Sequence, residues 1–361
     1  MLFLPYQLGP TLLRSRVVMA PMTRNRADAN HVPTPMMAEY YRQRASMGLI
    51  ITEGVAPAPN GAGYARIPGM YNAQQAAAWR TVTDAVHGRD GKIFMQMMHT
   101  GRASHLSNMP AGAVVVGPTA TPMKGEIWTD SAGNQPASTP HALTEPEIQA
   151  TIAEFVYSAT MAIEAGFDGI ELHAANGYLL EQFLNANVNT RSDAWGGRAV
   201  TRNRFVLDVA RAVSSAIGPE RVGIRLSPLG AFNATGAFAG VEVQYLALAR
   251  SLGAMHLAYL HLVDHSSMGA PIVPVEVKSG LHQAFGGTFI SSGGLNKEHA
   301  EQLLTEHKAD LVAFGRAALA NPDLAERLAD NQPLNEPDMA TFYTAGEKGY
   351  TDYPALAVSA A

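Results

Sequence analysis

The chain has 361 residues, of which 47% are apolar and 16% charged, so we predict a folded globule with a sizeable core rather than a disordered protein. Its net charge of −5 argues against nucleic acid as the main partner, because phosphate binding needs a concentrated basic face. Cysteine is absent, which excludes disulfides, thiolate metal sites and thiol nucleophiles.

The amino-terminal sequence MLFLPYQLGP carries no basic residue and is interrupted by Pro5, so it predicts no secretory signal. No run approaches about 18 unbroken apolar residues, so no membrane span is predicted. We expect a cytoplasmic protein whose residues 1–361 form a single domain, as a monomer or a homodimer, since enlarged α/β barrels reach this length.

Short apolar or β-branched runs alternate with longer amphipathic segments along the chain. The predicted strands are Arg16–Ala20, Gly48–Glu53, Lys92–Met97, Gly169–His173, Arg221–Leu226, His256–Val263, Thr288–Ser291 and Leu311–Phe314. The predicted helices are Thr34–Ser46, Asn72–His87, Glu145–Ala165, Thr201–Ile217, Val241–Leu252, Pro274–Ala284, Lys297–His307 and Asp323–Ala329.

Eight strand-and-helix units predict an α/β fold of the (β/α)8 TIM barrel type. An open doubly wound sheet is the alternative, but it usually carries a glycine fingerprint after its first strand, and the sequence has none. Longer inserts follow strands three, four and five, and we expect them over the carboxyl-terminal mouth: Thr100–Pro140, which has the composition of a lid or small hairpin, Asn185–Val200 and Leu229–Gly240.

The segment Gly169–Leu184 changes from a buried strand to helical spacing at the point where His173, Asn176 and Tyr178 lie close together. A barrel delivers its chemistry at the carboxyl ends of its strands, so these three side chains are candidate catalytic groups. Taken alone, a core histidine, a turn asparagine and a packed tyrosine explain the segment equally well.

Other predicted strands also end in polar or small residues, which a barrel would bring to one rim. These are Thr23, Glu53, Gly54, Gln96, His99, Arg225, Asp264, Gly293, Gly294, Gly315 and Arg316. Barrels commonly hold a phosphate between the ends of strands seven and eight, so SSGG at 291–294 and FGR at 314–316 predict a phosphate cradle, although ordinary turns explain the glycines singly.

Several sequence blocks together resemble the old yellow enzyme family of FMN-dependent ene-reductases, in the family's order from about Val18 to Pro354. The blocks are MAPMTRNR (19–26), ITEG (51–54), QMMHTGR (96–102), HAANGYLLEQFLN (173–185), IRLSP (224–228), ADLVAFGRAALANPDL (309–324) and GYTDYP (349–354). The resemblance implies bound FMN, reduction by NAD(P)H and transfer of hydride to activated alkenes.

The resemblance also implies roles for individual residues. Around FMN it implies Pro21, Met22 and Thr23 along one face and edge, Gly54 near the ring, Gln96 at the pyrimidine edge, Arg225 beside the charge of the reduced ring, and Ser292, Gly293, Gly294, Phe314, Gly315 and Arg316 at the phosphate. In the substrate pocket it implies His173 and Asn176 as donors to the substrate oxygen, Tyr178 as proton donor on the first turn of the following helix, and Tyr64, Met98 and Tyr350 as lining residues.

The sequence departs from the family pattern in three places. Met98 stands where many relatives carry tryptophan, which would open that side of the pocket, and His141 replaces a common arginine. The loop RSDAWGGRAVTRNRF also differs, at Trp195, Arg198, Val200 and Thr201, which changes its packing but not the predicted flavin site.

Three other functions were weighed against this one. A metal-dependent barrel hydrolase or isomerase would use His99, His173, Glu53, Glu171 or Asp264, but no second histidine lies at ligand spacing from His173, and we predict no metal. A Schiff-base aldolase needs a lysine at a strand's carboxyl end, and none of the six lysines is so placed. The alternative of another class is a flavin-binding protein without turnover, and the intact donor pair His173 and Asn176 with Tyr178 argues against it.

Overall fold

The centre of the protein is a closed barrel of eight parallel strands, seen in a computed structural model that describes residues 1–356. The barrel strands, in chain order, are Val17–Met19, Leu49–Val55, Ile93–Met97, Gly169–Ala174, Val222–Leu226, Tyr259–Val263, Phe289–Ser292 and Leu311–Phe314. Neighbouring strands follow chain order, and the eighth pairs with the first. The predicted (β/α)8 fold and all eight predicted strands are confirmed.

Helices follow the barrel strands and cover the outside of the barrel. They are Pro35–Gln43, Ala73–His87, Glu145–Glu164, Leu179–Leu184, Ala199–Arg202, Arg204–Ile217, Val241–Gly253, Val275–Phe285, Lys297–Thr305, Arg316–Ala320 and Leu324–Ala329. Each predicted helix is present, although the one expected from Thr201 is divided into two. The short helices at 179–184 and 316–320 were absent from the predicted set, because six or fewer residues carry little helical periodicity.

The barrel interior is apolar at one end and polar at the other. Alternate residues of each strand point inward, and those near the amino-terminal ends include Val18, Phe94 and Tyr259 in one buried cluster. Leu8 and Leu13 join that cluster from an antiparallel hairpin, Tyr6–Leu8 with Thr11–Leu13, which therefore closes this end of the barrel. The inward-facing polar side chains therefore lie at the opposite rim, at the carboxyl-terminal ends of the strands.

The three inserts contact one another at that rim, as expected from their composition. The first contains a hairpin, Glu126–Thr129 with Gly133–Pro136, which confirms the predicted small hairpin. Arg102 in this insert donates to the carbonyl of Ala234 at 2.9 Å, and Asn185 donates to the carbonyl of Gly236 at 2.9 Å. Strands Val116–Gly117 and His141–Ala142 form a further short pair.

Among residues 1–356, no helix combines the length and apolarity that crossing a bilayer requires.

Candidate active site

Strand register brings the predicted polar residues side by side at the carboxyl rim. Gln96 on strand three pairs with Glu171 on strand four, and His173 pairs with Arg225 on strand five, which in turn pairs with His261 on strand six. Because register neighbours in a barrel share their inward or outward direction, these side chains form one polar layer inside the mouth.

Glu171 is the centre of a hydrogen-bond network in that layer. It is fully buried, and its two oxygens accept from Gln96 Nε2 at 2.8 Å and from His261 Nδ1 at 2.8 Å. Burial opposes ionisation, but His261, Arg225 and Gln96 outweigh it and hold the pKa of Glu171 below its usual range. Since a carboxylate only accepts, the Gln96 amide nitrogen must face it, which leaves Gln96 Oε1 directed away as an acceptor.

His261 was not among the predicted site residues. Its Nε2 lies 3.0 Å from the hydroxyl of Ser292, so the Ser292 side chain belongs to this inner network. The sequence did contain a signal, since His261 is a polar residue at an inward position of a strand, two residues after the inward Tyr259.

Arg225 carries an unsatisfied donor. Its side chain is buried, and its Nε has no hydrogen-bond partner among the described residues. Burial lowers the pKa of Arg225, while the charge of Glu171 opposes that shift. A buried guanidinium with a free donor is poised for an acceptor of negative charge, since leaving such a group unpaired is costly.

His173 is held as a neutral donor. Its Nδ1 accepts from the backbone N–H of Ala175 at 3.3 Å, so the proton of the neutral ring sits on Nε2. Burial, with the nearby charge of Arg225, holds the pKa of His173 well below its ordinary value. The ring therefore offers an N–H donor to the pocket without carrying charge.

Asn176 and Tyr178 lie beside His173, as the sequence predicted. Asn176 has φ of 59° and Gly177 has φ of 74°, so a tight turn follows the strand. The Tyr178 ring centroid lies 4.8 Å from that of His173 and 6.0 Å from that of Tyr64. Tyr178 is the residue that precedes the helix Leu179–Leu184, which corrects our expectation of a place within the first helical turn.

Asn233, in the third insert, is a site residue that the sequence analysis missed. Its side chain donates to the carbonyl of Asn176 at 2.7 Å and accepts from the hydroxyl of Tyr64 at 3.4 Å. It has φ of 53°, a conformation that asparagine tolerates better than most residues. Only the general expectation that this insert covers the mouth pointed toward it.

Of the predicted pocket residues, Met98 packs beside Tyr64 and Tyr178, whereas Tyr350 does not. Met98 is buried in a cluster with Ala56, Ala62 and Ile67, against which Tyr64 and Tyr178 pack. A Cβ atom on Gly54 would lie only 2.4 Å from the sulfur of Met98, so a larger residue at this position would displace the Met98 side chain. Tyr350 is not brought to the Tyr64 and Tyr178 pair.

Tyr350 instead stacks on Tyr40 with ring centroids 4.0 Å apart. The guanidinium carbons of Arg24 and Arg26 lie 5.2 and 4.8 Å from its ring. The Tyr350 hydroxyl is buried and has no partner within residues 1–356.

The predicted phosphate loops lie together after strands seven and eight. Gly293 has φ of 131°, and a Cβ there would lie 2.1 Å from the carbonyl oxygen of Asp264. A Cβ on Gly315 would meet only the sulfur of Met22, at 3.6 Å, so the backbone there is open to a ligand. Gly294 and Arg316 are exposed and Phe314 is buried; Pro21 is buried, while Met22 and Thr23 are half-buried.

The carboxylates and histidines weighed as metal ligands are dispersed among other partners. His99 Nε2 lies 3.2 Å from Asn60 Oδ1, and Asp264 pairs with Lys278 at 2.6 Å. In the described part of the chain, no three histidine or acidic side chains come together in a group that could hold a metal ion.

Comparison with known proteins identifies the family to which this chain belongs. The NADH:flavin oxidoreductase / NADH oxidase family matches residues 1–335. The chain belongs to this family. This membership confirms the resemblance to the old yellow enzymes, and FMN with a nicotinamide reductant is the cofactor set of this oxidoreductase.

Three similar proteins illustrate the relationship. The 12-oxophytodienoate reductase 7 of Oryza sativa subsp. japonica is 40% identical, over 98% of this chain and 94% of its own. A probable flavin mononucleotide-dependent alkene reductase of Leishmania infantum is 40% identical, over 97% and 96%. The structure of morphinone reductase in complex with tetrahydroNAD has a TM-score of 0.93 and 41% identity, over 99% and 98%.

The geometry of the old yellow enzyme site fits FMN. The free donor of buried Arg225, the acceptor of Gln96 and the half-buried Met22 and Thr23 offer polar and apolar contacts to a flavin ring. Open backbone at Gly315 and the exposed Arg316 suit its phosphate.

Proposed function

We propose that this protein is an NAD(P)H-dependent ene-reductase, acting on α,β-unsaturated ketones and aldehydes, maleimides and nitroalkenes, and extending to nitrate esters. The observation that carries the proposal is the group at the end of strand four, where His173 and Asn176 can donate to one substrate oxygen beside Tyr178. The alkene reductase and the 12-oxophytodienoate reductase among the relatives support the same class of substrate.

FMN, when bound, would supply the chemistry of hydride transfer between the nicotinamide and the β-carbon of the alkene. Gln96 and Arg225 would hold the polar edge of the ring, and the loops at Gly293, Gly294, Gly315 and Arg316 would hold its phosphate. Pro21, Met22, Thr23, Gly54 and Phe314 would pack around it.

His173 and Asn176 would stabilise the charge that builds on the substrate's carbonyl or nitro oxygen. Two donors preorganised at such an oxygen form an oxyanion hole, and each contributes about 3 kcal/mol. His173 suits this role because it is neutral with its proton on Nε2. Tyr64 and Met98 would bound the alkene, whereas the ring of Tyr350 stacks on that of Tyr40.

Tyr178 would give its hydroxyl proton to the α-carbon, completing addition of one hydride and one proton across the double bond. Burial raises the pKa of Tyr178, so the hydroxyl keeps its proton until a strongly basic carbanion forms beside it. The alkene is reduced to the saturated compound while the nicotinamide is oxidised.

The test is stopped-flow spectroscopy of the FMN-loaded protein. We expect NADH or NADPH to bleach the flavin, and 2-cyclohexenone to restore its absorbance with formation of cyclohexanone. A flavin that is bleached but not restored by the enone would identify a flavin-binding protein without this turnover and would refute the proposal.

A further inference from the structure

Glu181 is a buried carboxyl group that the proposed chemistry does not use. It lies in the helix Leu179–Leu184 with 2% of its surface exposed, directly beneath the turn at Asn176 and Gly177. Burial raises its pKa to about 7, so the fold keeps this group at a cost.

Among residues 1–356, the Glu181 carboxyl group has three hydrogen-bond partners, two that connect it to that turn and one on its opposite side. Its Oε2 accepts from the backbone N–H of Gly177 at 2.5 Å, and its Oε1 accepts from the hydroxyl of Ser227 at 3.0 Å. The oxygen of Ser227 accepts in turn from the backbone N–H of Asn176 at 2.9 Å. From the opposite side, the Tyr245 hydroxyl donates to Oε1 at 3.0 Å.

These contacts hold a turn in which two successive residues have positive φ. Asn176 is a non-glycine residue in the left-handed region, with φ of 59°, and Gly177 follows with φ of 74°. The Asn176 carbonyl is held separately by Asn233, so both sides of the Asn176 peptide are fixed. With its backbone fixed in this way, the direction of the Asn176 Cα–Cβ bond is set relative to His173.

We propose that Glu181, acting through Ser227 and the N–H of Gly177, is the positioning residue that aims the Asn176 donor at the substrate oxygen. This inference rests on the proposed function, because it assigns Glu181 a role in the same oxyanion hole. Glu181 does not touch the pocket, so it is not itself catalytic. The alternative is that it merely stabilises the helix and the turn.

The experiment uses FMN-loaded protein and phenol, whose phenolate oxygen would occupy the position of the substrate oxygen and give a long-wavelength charge-transfer band. Three variants are compared with wild type. Glu181→Met removes both acceptors at similar length, Glu181→Gln keeps one acceptor for the Gly177 N–H, and Ser227→Ala breaks the link to Asn176. Tyr245→Phe is the matched control, because it removes a hydrogen bond of Glu181 that does not lead to the turn.

We expect Glu181→Met and Ser227→Ala to raise the Kd for phenol and the KM for 2-cyclohexenone about five- to tenfold, as expected for one misdirected hydrogen bond. Glu181→Gln should stay within about threefold of wild type, and Tyr245→Phe should lower Tm with little change in phenol Kd. Hydrogen exchange of the peptide spanning residues 174–180 should rise in Glu181→Met and Ser227→Ala but not in Tyr245→Phe.

Wild-type phenol affinity in Glu181→Met or in Ser227→Ala, measured per bound flavin, would overturn the positioning role even if Tm falls. Unchanged exchange of residues 174–180 in both variants would also overturn it, whatever the assay with phenol shows. Failure of the proposed function has a different signature, since the wild-type protein itself would then give no charge-transfer band and no reoxidation by the enone.

Discussion

The surroundings of His173 and Tyr178 set the protonation that each role needs. Burial lowers the pKa of His173 and raises that of Tyr178, so both groups stay neutral across the ordinary assay range and both keep a proton to donate. The two residues differ in how their donor groups are placed. His173 Nε2 is fixed by the bond at Nδ1, whereas Tyr178 presents its hydroxyl near Tyr64 and Asn233.

Replacing Tyr178 separates proton transfer from the hydride steps. We expect Tyr178→Phe to retain FMN and reduction by NAD(P)H, but to slow reoxidation by 2-cyclohexenone by about 10²- to 10⁴-fold, the usual contribution of a general acid. Rapid-mixing measurements of the two half-reactions, made separately, provide the check. Enone reduction at the wild-type rate would remove Tyr178 as the proton donor.

Replacing either of the proposed oxyanion donors should weaken phenol binding. We expect His173→Ala and Asn176→Asp each to raise the phenol Kd at least about tenfold, because a hydrogen bond to a charged oxygen contributes about 1.5–3 kcal/mol. Aspartate is chosen because it removes the N–H donor and tolerates a positive φ. Asn134→Asp, on the exposed hairpin, is the control, and a full-strength charge-transfer band in both single mutants would contradict the donor roles.

At the scale of elements, the regular units were predictable and the loops that shape the pocket were not. The alternation of strands of three to seven residues with helices, most of them of nine or more residues, can be recognised in the sequence, and the strand-end residues were predicted from it. Asn233 could not be found, because its place depends on how a 12-residue insert folds back onto Asn176. The contacts of His261 and Ser292 could not be predicted either, because they form only when barrel closure brings four strands around Glu171.

The contact between strand two and the end of strand three gives a prediction about packing. A side chain at Gly54 would collide with Met98, so Gly54→Ala should lower the free energy of unfolding by about 1–3 kcal/mol. Met98→Ala removes the sulfur and methyl carbon, the two nearest colliding atoms, but keeps the Cβ at 2.9 Å, so the double variant should recover part of that loss. Urea denaturation of the four proteins measures the coupling, and strictly additive losses would show that Met98 does not constrain Gly54.

At the scale of the whole molecule, the carboxyl-terminal segment is bound back onto the first strands. Arg26 donates to the carbonyls of Thr341 and Phe342 at 2.9 Å each, and Arg24 donates to that of Gly349 at 2.6 Å. These arginines lie in the motif MAPMTRNR (19–26), but the sequence gave no sign that backbone carbonyls more than 300 residues away satisfy them. The segment therefore covers the barrel beside Glu53.

Glu53 makes stability depend on pH in this region. Burial raises its pKa from 4.5 to about 7, although the Arg24 backbone and the Tyr41 hydroxyl oppose the shift. The folded state therefore binds this proton more tightly than the unfolded state does. The contribution of this bound proton to the free energy of unfolding is fully present below about pH 4.5 and is lost as the pH rises through about 7. A shift from 4.5 to about 7, at about 1.36 kcal/mol per unit, corresponds to about 3 kcal/mol.

Buried histidines act in the opposite direction, since burial lowers the pKa of His99 to about 3 and that of His265 to about 4. The Glu53 effect must therefore be measured as a difference between wild type and Glu53→Gln, which has a neutral side chain at every pH. We expect the free energy of unfolding of the wild type to fall by about 2–3 kcal/mol relative to the variant between pH 5 and pH 8. Urea titrations at each pH, with FMN held at one excess concentration, give this difference directly. A difference that stays constant over that range would show that Glu53 titrates normally and that solvent reaches it beneath the carboxyl-terminal segment.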